Sequence, residues 1–523
     1  MVSNTKARWF AALFLIAICV FVVLHFVDSL WSVADLPLHY ALVARVSDHW
    51  TLPTNDDPSL EELNYYPRTS HRLAALMGKL VGSPLVGMQV VAMLSLAALW
   101  SGLGFIYYSL PQRPRWLALG ILVALLLANR SFIQLELFGN EVLVNYFFPQ
   151  LAGQAIAIVL LALVLWMEKA GISRALGILV LGLSAPILPQ FHLLPAVELV
   201  ATGTLLVAVT FFETRDEKRR LLLVFGLIVV LSSLAIMVVS PAFRTMVTLS
   251  ANEGLLELKY ARDLDSLAIE CGIVIALSAL LIWRWLGMAS YEARVNGLAL
   301  KYLGMFGMAV GVLCLLQILM FNLGFGSEYA CKKYGFALNT VLILDIPVLL
   351  VALLSPSARL LRVPQAQSIG LPGAMLERTF VGVFVLVAVS AILPPRSARF
   401  ISVAEVVRAE RFAMQYREPT PGVNSGRYDL AIDLVGGHAS FDFLISVGVL
   451  RAPRSGNAYD TAYLGLVSKP ARLGRVFTRA GASPWDVEVC RQVVTPEGYA
   501  ILDGQCVLGA LAGSDESRPF WWR

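Results

Sequence analysis

Charge is what this chain has least of. Asp, Glu, Lys and Arg make up 15% of its 523 residues, against 58% hydrophobic residues, where a soluble globular protein is about 25% charged. With a mean hydropathy of +0.71, the chain reads as a polytopic α-helical membrane protein rather than a soluble one. Histidine is scarce as well. The six cysteines form no C-x-x-C pair and no His/Cys cluster at zinc-ligand spacing, which argues against a structural zinc module. The net charge of +5 is small for this length, and Lys and Arg gather in short loops between apolar runs, so nucleic acid is not an expected partner. No small-residue cleavage site follows the first apolar run, so 9–27 is expected to stay as a permanent anchor. No internal repeat divides the apolar runs into two related halves.

What the chain has in abundance is apolar runs about 20 residues long, the length a span requires. About eleven are expected, near 9–27, 84–108, 115–130, 150–167, 173–190, 193–212, 221–240, 266–287, 302–322, 336–354 and 377–394. The fifth and sixth are separated only by Gln190, Phe191 and His192, which implies a tight hairpin or a broken helix. Basic residues mark alternate loops: Lys6 and Arg8, Arg113 and Arg115, Lys169 and Arg174, Arg215 to Arg220, Arg284 to Lys301, and Arg359 with Arg362. Those loops belong in the cytoplasm. The outer side then receives 28–83, 131–149, 241–265, 323–335 and the tail.

Residues 1–394 form the expected membrane domain and 395–523 a small extracytoplasmic α+β domain. An amphipathic helix is expected over 397–416, where Val403, Val406, Val407, Ala409 and Phe412 recur at helical spacing. Strands are expected at 428–435, 441–450, 487–494 and 499–502, with Thr495 to Gly498 as a turn. Hairpin pairing about that turn sets Cys490 opposite Asp503. A Cys490–Cys506 bridge, favoured by an oxidising compartment, then needs a bulge or a second turn at Asp503 and Gly504. Cys19, Cys271 and Cys314 lie in apolar runs, where they read as small hydrophobes.

The longest polar interval among the spans of the first two-thirds runs from Asp35, His39 and Tyr40 to Tyr65, Tyr66, Pro67 and His71. Pro37 is tolerated only in a first helical turn, so a helix is expected from there towards Asp48. Leu38, Leu42, Val43 and Val46 would share one face, as on an interfacial helix. Asp35 and His39, four apart, share a face, although Asp35 is also a good N-cap. Tyr65 and Tyr66 suit the membrane interface or a stack on sugar rings. The second outer loop carries Glu136 and Glu141. Spacing does not choose between them, but polar Asn140 and Asn145 around Glu141 favour it. Lys332 and Lys333 lie in an outer loop, against the charge bias, and suit a phosphate; Arg244, Lys259 and Arg262 are further outer cations. Glu198, Glu270 and Asp345 fall inside spans, where an ionisable group faces a cavity or a partner.

An acidic residue just after the first span, then His39-Tyr40, and Tyr65-Tyr66-Pro67 before the second span, resembles the GT-C superfamily of integral-membrane glycosyltransferases. The likeness covers the layout of 1–394 and the local pattern at 35–71. It implies a polyprenyl-phosphate-sugar donor, a glycan or lipid-linked acceptor in the cell envelope, membrane lipids around the chain, and a site on the outer face of a bacterial inner membrane. It implies Asp35 as catalytic base or metal ligand, the base being the reading taken, with a second-loop acid, Glu141, beside it; on the reading of the residues above, His39, Tyr65, Tyr66, His71, Lys332, Lys333 and Arg244 would bind substrate. The family's commonest form has paired acids, whereas Leu36 and Pro37 follow Asp35. No metal ligand is assigned, and a divalent metal stays an open alternative. Inverting transfer needs a carboxylate to take the acceptor's proton and cations at the leaving phosphate. The rival readings are a lipid-linked glycan flippase, an O-antigen polymerase or ligase, and a structural subunit.

Overall fold

Pro37 sets the start of the first helix. In the computed structural model, which describes residues 35–50, 60–213, 218–249, 256–288, 290–354, 371–392, 403–417, 427–436, 439–452, 473–483 and 486–511, that helix is Leu36–Asp48, with proline in its first turn, where a missing N–H costs nothing. Contacts divide the chain into two units. The larger takes the described parts of 92–143 and 147–394, and the smaller those of 25–91, 144–146 and 395–523.

Eight helices among the described residues are long and apolar enough to cross a membrane: Pro84–Tyr108, Gln112–Ile133, Phe148–Lys169, Leu193–Glu213, Arg219–Val239, Leu264–Leu286, Leu298–Asn322 and Glu328–Leu354. The expected span at 9–27 lies outside the described residues. That at 173–190 is an α-helix, Arg174–Ser184, running into a 3-10 turn, Ala185–Gln190. Pro186 and Pro189 break its hydrogen-bond ladder, and Arg174–Ser184 packs back on Leu193–Glu213 with Leu181 beside Gly203, so the tight-hairpin alternative is the one realised. The span at 377–394 falls in Leu371–Ile392, of which the apolar stretch Phe380–Ile392 is short.

Within the larger unit, Leu264–Leu286 and Leu298–Asn322 approach closely through Gly304, Gly307 and Gly311. A Cβ on Gly304 would stand 2.9 Å from the Ser278 carbonyl oxygen, one on Gly307 2.3 Å from Ser278 Oγ, and one on Gly311 2.7 Å from Ile275. Lipid gives helices no hydrophobic reason to associate, so such small-residue seams carry the packing. Ser278 Oγ donates to Asp345 Oδ2 at 3.1 Å, which partners the deepest of the intramembrane acids.

In the smaller unit, Leu36–Asp48 is not an interfacial helix. Every residue from Leu36 to Val46 is buried, because Thr69–Val81 and Ala439–Gly448 pack on it from different sides. Arg45 donates to the Gly448 carbonyl at 2.8 Å, and Asp48 pairs with Arg417 at 2.5 Å and Arg451 at 3.5 Å. The tail helix, Val403–Tyr416, supplies Glu410. Its buried carboxylate accepts from Tyr40 Oη at 2.7 Å, from Leu85 N at 3.1 Å and from Ser83 Oγ.

The tail sheet has the order β1-β2-β4-β3, with β1 Tyr428–Ala431, β2 Leu473–Arg479, β3 Arg491–Val494 and β4 Tyr499–Asp503. β1 is parallel to β2 and the other pairs are antiparallel. The expected strand at 441–450 is instead the helix Ala439–Gly448. It is buried on all sides, so its apolar run shows no period. Asp442 in its first turn ties it to the preceding loop, its carboxylate accepting from Asp433 N, Leu434 N and Val435 N at 2.7, 3.0 and 3.1 Å. Strand β2 carried no signal strong enough to predict it. The turn forms at Thr495–Gly498, where Thr495 N donates to Tyr499 O at 2.8 Å. Cys490 and Cys506 are bridged, with Cα atoms 5.6 Å apart. The helix Gly504–Leu511 provides the needed bend, capped by Asp503 Oδ1 on Cys506 N at 2.8 Å.

Candidate active site

Chemistry-bearing residues gather in two places, one in each unit. In the smaller unit, the helices Leu36–Asp48 and Thr69–Val81 bring two buried imidazoles together. His39 Nδ1 lies 3.0 Å from His71 Nε2, and the Tyr66 ring meets each imidazole edge-on with centroids 5.6 Å apart. Burial holds His71 well below the ordinary histidine range, with the neighbouring His39 and Arg68 charges adding to it. Burial thus favours the neutral form of His71. Tyr65 turns outward and is 60% exposed, so it is not part of the group. Asp35 stands at the N-cap position, yet its side chain makes no capping hydrogen bond; its backbone oxygen accepts from His39 N at 3.1 Å.

In the larger unit the second-loop acid Glu141 is fully buried. Gly139, at φ 110°, turns the chain ahead of the short helix Asn140–Val144. Its N–H donates to Glu141 Oε2 at 2.5 Å, while Glu141 Oε1 is buried with no hydrogen-bond partner among the described residues. Burial pushes this carboxyl up to about 7, against the backbone N–H groups that favour its charged form. Phe147 N donates to Glu141 O at 3.1 Å, and Lys333 Nζ sits over the Phe147 ring at 4.6 Å and the Tyr329 ring at 4.3 Å. Phe147 thus ties the acid to the cation. Lys332 instead pairs with Glu328 at 2.6 Å.

Glu198 belongs to the same neighbourhood, within electrostatic reach of Glu141 and facing the Gln154 amide. Neither Glu198 oxygen, nor Gln154 Nε2, nor Gln150 Oε1 completes a hydrogen bond among the described residues. Each such buried group costs about 1–3 kcal/mol, and native proteins tolerate few of them without reason. The two carboxyl groups and two amides can exchange hydrogen bonds with a polyhydroxylated group, and the Lys333 ammonium can face a negative charge. Gln150 and Gln154 were missed as a pair, although amides four apart at the start of an apolar helix share a face and were the available signal.

The other outer-loop candidates lie elsewhere. Glu136 Oε1 accepts from Lys259 N at 3.1 Å, and Arg244 is exposed on the helix Pro241–Leu249. Among the described residues no group of three or more His, Cys, Asp or Glu side chains is arranged to hold a metal ion.

No protein-family model and no curated protein matches the chain. Among solved structures it is similar to a crystal structure of the Archaeoglobus fulgidus oligosaccharyltransferase in complex with zinc and sulfate, at 11% identity and a TM-score of 0.34, over 89% of this chain and 68% of that one. A likeness of that degree decides nothing about this chain's chemistry.

Proposed function

We propose that this chain is a membrane glycosyltransferase of the GT-C kind, which moves a sugar from a polyprenyl-phosphate donor to a glycan or lipid-linked acceptor at the outer face of the membrane. The observation that supports it is Glu141, a buried carboxyl poised at about 7 with one oxygen held and the other unpartnered. Such a group is a general base matched to neutral pH. In the proposed step it takes the proton of an acceptor hydroxyl as that oxygen attacks the anomeric carbon. The bond from that carbon to the phosphate oxygen breaks, and the electron pair leaves with the polyprenyl phosphate. Lys333 offsets the charge that gathers there. Attack opposite the leaving group inverts the anomeric centre. Glu198 and the Gln150 and Gln154 amides bind sugar hydroxyls.

Asp35 is the second candidate base, with the His39–His71 pair orienting donor or acceptor. Purified chain with labelled polyprenyl-phosphate-sugar tests both roles: Glu141→Gln and Asp35→Asn are each expected to lose transfer by about 10²-fold or more. Full transfer by either variant removes that residue from the role. A flippase is the second reading, favoured by the intramembrane acids Glu198 and Asp345, both buried, and Glu270, half-buried. Transbilayer movement of a lipid-linked glycan without bond cleavage by the wild type would establish it instead.

A further inference from the structure

A polar cavity lies at one end of the helical bundle in the larger unit, apart from Glu141 and Glu198. It measures about 230 Å³ and is lined by Glu168, Arg174, Glu213, Trp285, Tyr291 and Arg294. These residues come from the ends of Phe148–Lys169, Leu193–Glu213 and Leu264–Leu286, and from the starts of the segments that follow them. This is the end that carries basic loops.

Behind the cavity is a closed ion-pair network. Lys301, with no exposure, donates to Glu168 at 2.7 and 2.9 Å. Tyr302 Oη donates to the same carboxylate at 2.8 Å. Arg174 reaches Glu168 at 3.3 Å and Glu213 at 2.5 Å. Two features stand outside this balance. Arg294 is a third cation against two carboxylates; its Nε donates to the Met288 carbonyl at 3.1 Å, which fixes the guanidinium at the cavity wall. Glu213 Oε2 is buried with no hydrogen-bond partner among the described residues, its ion pair with Lys301 being a long one at 3.7 Å. The walls therefore offer one surplus positive charge and one unused carboxylate acceptor.

The mouth adds an independent observation. Phe212, Trp283 and Tyr291 are 68, 68 and 69% exposed, adjoining the lining residues Glu213, Arg294 and Trp285. Exposed aromatic rings at a helix end mark the headgroup level of a bilayer, and Trp and Tyr suit a place with one apolar and one wet side.

We propose that this cavity binds a phosphoethanolamine zwitterion, its phosphate on Arg294 and its primary ammonium on Glu213 Oε2. The position at headgroup level makes a phospholipid its source. A phosphate alone would leave the carboxylate unanswered, and a quaternary ammonium has no N–H to donate to it. The site does not depend on the proposed glycosyl transfer.

Native mass spectrometry of the purified full chain in detergent tests this, with phosphatidylethanolamine, phosphatidylcholine, phosphatidylglycerol and soluble O-phosphoethanolamine added in turn. Phosphatidylethanolamine is expected to be retained about tenfold better than the other two lipids, roughly 1.4 kcal/mol, and Arg294→Gln is expected to abolish the preference. Arg294 belongs to none of the ion pairs among the described residues, so that variant keeps the network; an unchanged melting temperature without added lipid verifies it. Competition by soluble O-phosphoethanolamine at equal concentration would assign the site to the free zwitterion and support the same chemistry. Equal retention of the three lipids, or an undiminished preference in Arg294→Gln, would overturn the proposal.

Discussion

A carboxylate like Glu141 is costly to the fold at the pH where it is useful to chemistry. Unfolded, it ionises near 4.5; folded, burial delays ionisation to about 7. The unfolded chain therefore binds fewer protons between those values, and stability falls as pH rises through them. Glu141→Gln keeps an acceptor for Gly139 N–H and removes the burial of charge. It is expected to melt higher at pH 8 by an amount on the order of 1–3 kcal/mol while losing transfer, a combination visible in paired melting and activity assays from pH 5 to 8. Wild-type transfer should rise with pH through about 7 as Glu141 gives up its proton. His71 has the opposite sign. Its folded value lies well below the ordinary 6.5, so the unfolded chain takes up the proton first, and stability present above that pH is lost as pH falls through the window beneath it. His71→Gln should flatten this acid limb in the same melts. None of this was legible in the residues themselves. Glu136 and Glu141 each have one oxygen held by a backbone N–H and one without a hydrogen-bond partner among the described residues, and only the fold tells them apart, burying Glu141 fully and Glu136 in part.

Helices and turns were legible where the chain carries a local stop or start. Pro37 opens a helix, Pro186 and Pro189 break one, and Thr495 to Gly498 make a hairpin. The helix at Ala439–Gly448 was misread because an apolar run buried on every side has no period to read. Its placement can be tested at Gly448, where a Cβ would lie 2.2 Å from the Tyr40 ring. Gly448→Ala is expected to destabilise the protein by about 1–3 kcal/mol through overpacking, which a shift in thermal melting would register; an unchanged melt would contradict the packing of that helix on Leu36–Asp48. In the bundle, Gly307→Val should do at least as much, since its Cβ would enter Ser278 Oγ. Reduction of the bridge closing the 16-residue separation between Cys490 and Cys506 should weaken the tail by about 3 kcal/mol on chain-entropy grounds, seen as faster proteolysis of 486–511 in the intact chain under dithiothreitol.

At the scale of the whole molecule, the alternation of basic loops predicts a tail outside the cytoplasm. An alkaline phosphatase fused after Arg523 should be active in cells, and one fused within 214–217 inactive; the reverse result would invert the orientation. The sequence by itself pointed to a membrane protein of helical spans, because apolar runs about 20 residues long satisfy their backbone within each helix. It also determined where several elements begin, since proline and glycine act through their own backbones. Only the tertiary structure decided which polar residues matter together. His39 and His71 are 32 positions apart, Tyr40 and Glu410 are 370 apart, and the unpartnered atoms of Glu141, Gln150, Gln154 and Glu198 exist as a group only once helices have packed around them. The reason is physical: desolvation and hydrogen bonding depend on what stands opposite, and what stands opposite comes from elsewhere in the chain. Asp35 opened the outer loop as an acid with two readings, capping and catalysis. Only the fold decided between them at the cap, where the Asp35 side chain makes no capping hydrogen bond.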